Sequence, residues 1–526
     1  MPKITRAIVS VTDKTGVVDF CKGLVAMGVQ LLSTGGTAKV LRDNGLVVED
    51  VSHYTGSPEV LDGRLKTLHP KIEGGILGIR NNPQHVKEMA DLGILPIDLV
   101  VVNLYDFEKV ASKMHIDLAD GDGHPTIQEM IEQIDIGGPT MLRAAAKNYD
   151  DVTVVVDPAD YPAILSEMQK NGGAVSVRTN LQLAIKVFQT TTHYDSRIAS
   201  SMAYLLEPPM PFPKTLAFNF EKIQDLRYGE NPHQRAAYYG QKFSQPGSVT
   251  SAKQLHGKEL SYNNILDADA ALQCVAEFYD PACVIVKHTN PCGAALGKTL
   301  SEAFVRARDG DPVSSFGGII AINRRMDLAT AKAIGETFFE CIVAPGYDEE
   351  ALAILKSKKN IRLLNLEAMP TPQFFNYQYR QISGGLLVQE GDVTTVDLKA
   401  CPVPTKRKPN DAEYAELDFA WKLVKHVKSN AIIYTKNRQL LGVGAGQMSR
   451  VDSVKIAGMK SKQSLEGAVM ASDAFFPFRD GVDEAATQKI SAIVQPGGSI
   501  KDPEVIKAAD EHGLAMVMTG VRHFKH

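Results

Sequence analysis

The stretch Ala282-Cys283-Val284-Ile285-Val286-Lys287-His288-Thr289-Asn290-Pro291-Cys292-Gly293 decides how this chain is read. Five apolar residues in a row make a strand buried on both faces, so Lys287 and His288 emerge at its carboxyl end, where open α/β sheets hold their ligands. The Asn-Pro-x-Gly that follows predicts a sharp turn exposing both side chains. A lysine beside a histidine joins a cation to the one side chain that titrates near neutrality. Alone such a pair is an ordinary solvated loop; its place at a strand end makes it a candidate for chemistry.

Working outward, the same pattern returns. Adding 149 to each position lays residues 269–323 on 418–472 without a gap, matching Asp269 with Asp418, Val275 with Val424, Lys287 with Lys436, Gly293 with Gly442, Gly297 with Gly446 and Gly318 with Gly467. One supersecondary unit, helix, strand, glycine turn, helix, strand, therefore occurs twice. A doubled unit offers a cleft between its copies, and such interfaces are common ligand sites.

At 526 residues the chain is too long for one core, and two to four domains are expected. A net charge of -4 leaves no basic stripe, which argues against nucleic acid as a partner. The six cysteines are scattered without C-x-x-C or metal-ligand spacing, as in a reduced, cytoplasmic protein. No stretch reaches the roughly 20 apolar residues of a membrane span, and Met1 to Arg6 lead straight into a strand with no apolar segment of signal length.

Residues 7–11 read as a strand, followed by the polar turn Ser10-Val11-Thr12-Asp13-Lys14-Thr15-Gly16 and a helix to about Met27. Val29 to Ser33 repeat the strand and Ser33-Thr34-Gly35-Gly36-Thr37 the turn. Such turns suit phosphate, since glycines let the backbone approach and the amides and dipole of the helix face the anion. Helix capping is the plain alternative. The basic loop Asp62-Gly63-Arg64-Leu65-Lys66-Thr67-Leu68-His69-Pro70-Lys71 adds cations for an anionic substrate. A strand over Ile97 to Tyr105 delivers Tyr105 at its end, Asp135-Ile136-Gly137-Gly138-Pro139 enters a helix running to Lys147, and Val152 to Val156 form a further strand. Alternating strands and helices predict a parallel, doubly wound sheet, ending at the proline run Glu207 to Pro213.

The rest opens on Arg227-Tyr228-Gly229-Glu230-Asn231-Pro232-His233-Gln234, a turn able to meet a phosphate, a ring and a carboxamide. Ser314-Ser315-Phe316-Gly317-Gly318 enters a buried strand. Gly442-Val443-Gly444-Ala445-Gly446 reads as a backbone turn against a ligand, because the acidic spacing of a dinucleotide site is missing. Ser472-Asp473-Ala474-Phe475-Phe476-Pro477-Phe478 sets three aromatics around a carboxylate, suited to a flat heterocycle or to a core. Arg522-His523-Phe524-Lys525-His526 looks functional where fraying is the norm.

Taken together, Ser-x-Thr-Asp-Lys-Thr-Gly, Ser-Thr-Gly-Gly-Thr, Gly-Arg-x-Lys-Thr-Leu-His-Pro, Asp-Ile-Gly-Gly-Pro, Leu-Arg-Tyr-Gly-x-Asn-Pro-His-Gln, Lys-His-x-Asn-Pro-x-Gly and Ser-Asp-Ala-Phe-Phe-Pro-Phe occur in one order. In this the chain resembles, over essentially its whole length, the bifunctional purine biosynthesis family that joins 5-aminoimidazole-4-carboxamide ribonucleotide (AICAR) formyltransferase to inosine monophosphate (IMP) cyclohydrolase. Glu73 departs from the family's usual histidine, and the segment from His115 to Pro125 looks longer than in many relatives.

The resemblance implies an α/β fold: a methylglyoxal-synthase-like doubly wound domain over 1–206, a Pro-rich linker over 207–224, and a transferase region over 225–526 built of two cytidine-deaminase-like subdomains, about 225–375 and 376–526. It implies a cyclohydrolase site of Lys66, Tyr105, Asp135 and Lys147, with Ser10, Lys14, Ser33, Thr34, Gly36, Thr37, Arg64 and Thr67 near the nucleotide. For the transferase it implies Lys287, His288 and Asn430 as catalytic. Arg227, Tyr228, Arg522 and Phe524 fall to AICAR, Arg450 and Asp473 toward the folate, and Asn231, His233, Gly318 and Phe475 to the remaining substrate contacts. The implied partners are AICAR, formyl-AICAR, IMP and reduced folate, with 10-formyltetrahydrofolate as cosubstrate, a homodimer, no required metal and room for a monovalent cation. Two other readings stand beside it. A zinc deaminase would need P-C-x-x-C, and Pro291-Cys292-Gly293-Ala294-Ala295 lacks the second cysteine. A zinc-free deaminase-fold nucleotide sensor with one active domain would leave Lys287-His288 unexplained.

Overall fold

The apolar runs become strands where the side-chain periodicity requires, in two units, Met1–Asn219 and Phe220–His526. The computed structural model describes residues 3–116, 127–203, 205, 212–241, 246–335, 337–370 and 377–526. Most of the His115–Pro125 excursion and the prolines 208, 209 and 211 of the expected linker lie outside the described residues.

In the first unit β1 (Arg6–Ser10), β2 (Gln30–Ser33), β3 (Glu49–Asp50), β4 (Leu99–Val102) and β5 (Thr153–Val155) form one parallel sheet in the order β3-β2-β1-β4-β5. The chain winds outward from β1 to β3, then returns to place β4 on the other side of β1. That reversal opens a crevice at the carboxyl ends of β1 and β4, the usual ligand position in such sheets. Ile8, Val100, Leu142 and Val187 are fully buried in its core. The strand expected over 97–105 is shorter, because Asn103 leaves the ladder: its Oδ1 accepts from Thr12 N at 2.6 Å and Asp13 N at 3.0 Å. Tyr105 therefore sits in the loop beyond β4.

In the second unit β6 (Glu221–Leu226) pairs with β7 (Ala236–Gly240), so the last residues expected as linker are strand. The main sheet takes β8 (Lys253–His256), β9 (Ala282–Lys287), β10 (Asn290–Leu296), β11 (Ile319–Ile322), β12 (Cys341–Ala344) and β13 (Arg362–Asn365). Beyond the separate hairpin of β14 (Tyr377–Ile382) and β15 (Gly385–Glu390), it adds β16 (Ile432–Lys436), β17 (Gln439–Gly444), β18 (Val469–Ser472), β19 (Ala492–Gln495) and β20 (Ala515–Met518). The order is β20-β19-β18-β16-β17-β10-β9-β11-β12-β13-β8. β9 to β13 and β16 to β20 have identical pairing, and the copies join edge to edge where Ala295 of β10 meets Gln439 of β17. Val284 and Val286 share one core with Ile433 and with Leu272 and Leu417 of the helices Tyr262–Val275 and Asp411–Val424. On the opposite face each half keeps its own core, around Ile285 and Phe304 and around Tyr434 and Val454.

Three expectations are corrected. Asn290-Pro291-Cys292-Gly293 is not the turn: the chain reverses at His288-Thr289, and β10 starts at Asn290. Gly442 and Gly444 lie in β17, not in a ligand turn, and their reason is packing. A Cβ there would stand 2.1 Å from Ala457 O or 1.9 Å from Ser453 O, on the helix Arg450–Lys460, as one on Gly293 would stand 2.3 Å from Ala307 O. The repeat also slips by one residue past Gly446, since helix Leu300–Gly310 corresponds to Arg450–Lys460 and Ile319 to Val469, both offset by 150. Gly318 and Gly467 are thus neighbours in register, not equivalents.

Candidate functional site

A cavity of about 680 Å³ occupies the crevice of the first unit. Ser10, Lys14, Thr34, Gly36 and Thr37 line it from the two strand-to-helix turns, Arg64, Lys66 and Thr67 from the basic loop, and Tyr105 and Asp135 from beyond β4. No side chain caps the helix Gly35–Asp43 at Thr34, so its first amides remain available to an anion. Thr37 clamps the first turn, accepting from Val11 N at 3.1 Å and donating to Val11 O at 3.0 Å. Two expected residues are not brought here. The buried Ser33 donates to Val9 O at 2.6 Å and ties β2 to β1. Lys147 is exposed at the far end of helix Gly137–Lys147, roughly 15 Å along the axis from the lining glycines.

Asp135 and Thr67 explain the two glycines that open the next helix. Gly138 N donates to Asp135 Oδ1 at 2.8 Å, and a Cβ on Gly138 would stand 2.3 Å from Oδ2. A Cβ on Gly137 would stand 2.5 Å from Thr67 Oγ1. Burial pushes the Asp135 carboxyl above its ordinary range, opposed by the Gly138 N–H and by Lys66. Such a carboxyl is suited to hold or release a proton beside a cation. Three neighbours went unnoticed in the sequence. Asn103 pins the first turn, and both carboxylate oxygens of Glu132 accept from Arg64, one from Nε and one from Nη2. Tyr194, from helix Val177–Ala203, donates to Gln133 O at 2.6 Å and accepts from Asp135 N at 2.9 Å. Only contact in three dimensions brings it there, 59 positions along the chain. Glu73 is absent from the lining; its Oε1 is buried without a hydrogen-bond partner, and burial pushes the carboxyl up to about 7.

The second unit holds a cavity of about 190 Å³ where its halves meet. Lys287, His288, Asn290, Cys292, Asp311 and Ser314 line one side, Leu440 to Val443 and Lys460 the other. Lys287 Nζ donates to Phe316 O at 2.9 Å. Asn290, read in the sequence only as part of a turn, bridges the halves: its Nδ2 donates to His288 O at 3.0 Å and its Oδ1 accepts from Lys428 N at 3.0 Å.

Two residues beyond Lys428, Asn430 belongs to a buried network. Arg450 Nη2 donates to Asn430 Oδ1 at 2.8 Å, and Asn430 Nδ2 donates to Gln447 O at 2.9 Å and Met448 O at 3.1 Å. Arg450, 7% exposed, also grips Ser472 and Asp473, and Ser429 Oγ donates to the fully buried Asp473. Phe475 is 37% exposed beside it, whereas Phe476 is core. Gly318 is buried, packed against Ile285 and Val286 of β9. Arg227, Asn231 and His233 are exposed in the β6–β7 loop, where Arg227 lies over the Tyr228 ring at 5.7 Å. Arg522 stacks on Phe524 at 4.3 Å, and the tail is anchored rather than frayed: His523 N donates to Asp473 O at 2.9 Å and Ser429 N to Lys525 O at 2.8 Å. Among the described residues no three His, Cys, Asp or Glu are grouped to hold a metal ion, and no helix is long and apolar enough to cross a membrane.

A family profile described as "AICARFT/IMPCHase bienzyme" matches residues 145–460. The chain belongs to the AICARFT/IMPCHase bienzyme family. A second profile, "MGS-like domain", matches residues 16–140, so this bienzyme has a methylglyoxal-synthase-like amino-terminal domain. Curated relatives agree over full length: "Bifunctional purine biosynthesis protein PurH" of Bacillus cereus (strain B4264) is 53% identical over 99% of both chains. The protein of the same name from Bacillus anthracis (strain CDC 684 / NRRL 3495) is also 53% identical over 99% of both. A structure titled "Crystal structure of ForH" is 35% identical over 38% of this chain and 96% of its own, with a TM-score of 0.33.

Proposed function

We propose that this bienzyme divides its two reactions between its two units, formyl transfer at Lys287–His288 and ring closure in the crevice of the first sheet. The chain is a bifunctional enzyme of purine biosynthesis, an AICAR formyltransferase and IMP cyclohydrolase. The observation that carries the division is the placement of Lys287 and His288 side by side on a cavity bounded by both halves of the repeat.

In the transfer, the AICAR amine is conjugated with its ring and attacks the formyl carbon of 10-formyltetrahydrofolate poorly. A new N–C bond forms, the bond from folate N10 to the formyl carbon breaks, and the amine proton passes to His288 as general base and on to the departing N10. Such a base contributes on the order of 10²–10⁴-fold. Lys287 stabilises the oxyanion on the formyl carbon. Asn430 Oδ1 keeps a lone pair beyond the one Arg450 occupies, enough to orient the AICAR carboxamide. Arg450 and Asp473 hold that amide from behind, with Phe475 beside them for the flat pterin. The exposed Arg227 and Arg522, with the half-buried Tyr228, recognise AICAR across a homodimer, in the cytoplasm.

Ring closure needs the carboxamide nitrogen to attack the formyl carbon of the same molecule, with loss of water. The uncapped helix at Thr34 and the Lys14 turn hold the phosphate, Lys66 stabilises the developing oxyanion, and Asp135 with Tyr105 moves the protons. Lys147 has no part in this scheme within one subunit. The test is His288→Ala assayed for both reactions. Formyl transfer falls by at least about 10²-fold while cyclisation of supplied formyl-AICAR is unchanged; near-normal transfer would refute the division.

A further inference from the structure

His288 and Thr289 form the reacting turn with φ of +54° and +59°. A two-residue hairpin loop with both centres at positive φ prefers Asn-Gly or Gly. Histidine enters that region more readily than most side chains, but a β-branched threonine is a genuine outlier there. The local sequence therefore disfavours the turn that presents the imidazole, and something outside it must hold the backbone.

Asp267 does so from the helix Tyr262–Val275. Its Oδ2 accepts from His288 N at 3.0 Å and its Oδ1 from Thr289 N at 2.6 Å, one carboxylate bridging two successive amides. On the other side of the same residue, Thr289 Oγ1 at 2.7 Å and Asn290 Nδ2 at 3.0 Å both donate to His288 O. The peptide groups flanking His288 are thus gripped from both directions.

The other copy supplies an independent observation. Its turn, Asn437-Arg438, has φ of +54° and +56°, and Glu416, which is Asp267 plus 149, accepts from Arg438 N at 2.6 Å. An acid on the same helical position holding the same turn is therefore part of the duplicated unit. In the first copy the shorter aspartate reaches both amides.

We infer that Asp267 is a positioning residue for formyl transfer, acting through the backbone of His288 and Thr289 to aim the imidazole and the Lys287 ammonium into the cavity. The inference rests on the reading of Lys287 and His288 as the transfer pair. Asp267→Asn keeps one acceptor oxygen and loses the bridge. Transfer kcat is expected to fall about 10- to 100-fold, with KM for AICAR and folate within about threefold, since misplacement of about 1 Å costs that much. Cyclisation by the same preparation stays at the wild-type rate and reports an intact first unit, while the unchanged KM values report an intact second one. Thr289→Gly placed on Asp267→Asn recovers at least about tenfold of the loss, because glycine takes positive φ without strain. Wild-type transfer by Asp267→Asn overturns the inference. So does a loss that Thr289→Gly leaves untouched, or one that appears in KM alone. If His288→Ala retains transfer, the reading of the pair fails instead, and the two failures are told apart by that single control.

Discussion

At one end of the joined hairpins Lys287 and His288 border a cavity of about 190 Å³; at the other, Lys436 and Asn437 hold the same positions and are stitched into protein. Arg306 donates to Leu296 O at 2.6 Å and to Asn437 O, and Gln439 Nε2 donates back to Arg306 O at 2.7 Å. Arg438 reaches Asp280 at 3.3 Å, and Lys436 Nζ donates to Glu466 O at 2.6 Å. In the first end, the residue 150 positions beyond Arg306 is Ile456, which has nothing to donate. Topology, bulge and turn conformation are shared, so they cannot be what separates a reacting end from a silent one. A guanidinium at one helical position closes one end, and an isoleucine leaves the other open.

The largest contrast is between the two lysines. Lys287→Ala removes the cation proposed to stabilise the oxyanion on the formyl carbon, and transfer kcat is expected to drop by on the order of 10²–10³, the usual loss for one oxyanion donor. Lys436→Ala removes only a bond to Glu466 O, and transfer stays within about twofold while the protein loses about 1 kcal/mol in a denaturant titration. Equal losses of transfer from both would mean that the two ends share the chemistry.

Much of this was legible in the chain itself. The apolar runs gave the strands, and the Ser/Thr/Gly turns gave the crevice, because alternation and turn chemistry are local properties. The repeat was visible because two copies must bury the same faces. The strands β10 and β17 were not, since their glycines answer to helix backbones lying across them and only the folded chain brings those near. Asn103, Asn290 and Tyr194 were missed for the same reason: each is an ordinary polar residue until a partner distant in sequence arrives. Arg450 and Asp473 read as ligand contacts; what the sequence does not show is that they are buried and paired, with Arg450 also holding Asn430.

A smaller effect comes from exchanging the stitch. Arg306→Ile removes charge-assisted bonds to two carbonyls and should cost about 1.5–3 kcal/mol in chemical denaturation, with transfer unchanged. Ile456→Arg places a guanidinium at the open end, within the reach that Arg306 has for the equivalent carbonyls of Ala445 and His288. Transfer kcat is expected to fall about tenfold while the cyclohydrolase is untouched. If Ile456→Arg transfers normally, the cavity stays open for a reason other than this one position.

The smallest effect separates the two acids that hold the turns. Burial raises the Glu416 carboxyl above the ordinary glutamate range, opposed by the Thr435 hydroxyl, the Arg438 N–H and the charges of Arg438 and Arg306. A raised value means that the folded chain holds this proton more tightly than the unfolded one. The corresponding stability is complete below the unfolded value near 4.5 and is lost as pH rises through the folded value. Glu416→Gln is neutral throughout and keeps an acceptor for Arg438 N, so it escapes that loss. Relative to wild type its melting temperature should rise between pH 4 and pH 8. Transfer stays unchanged, in contrast to Asp267→Asn. A variant less stable at pH 8 than at pH 4, relative to wild type, would mean that the charged carboxylate is favoured at the closed end.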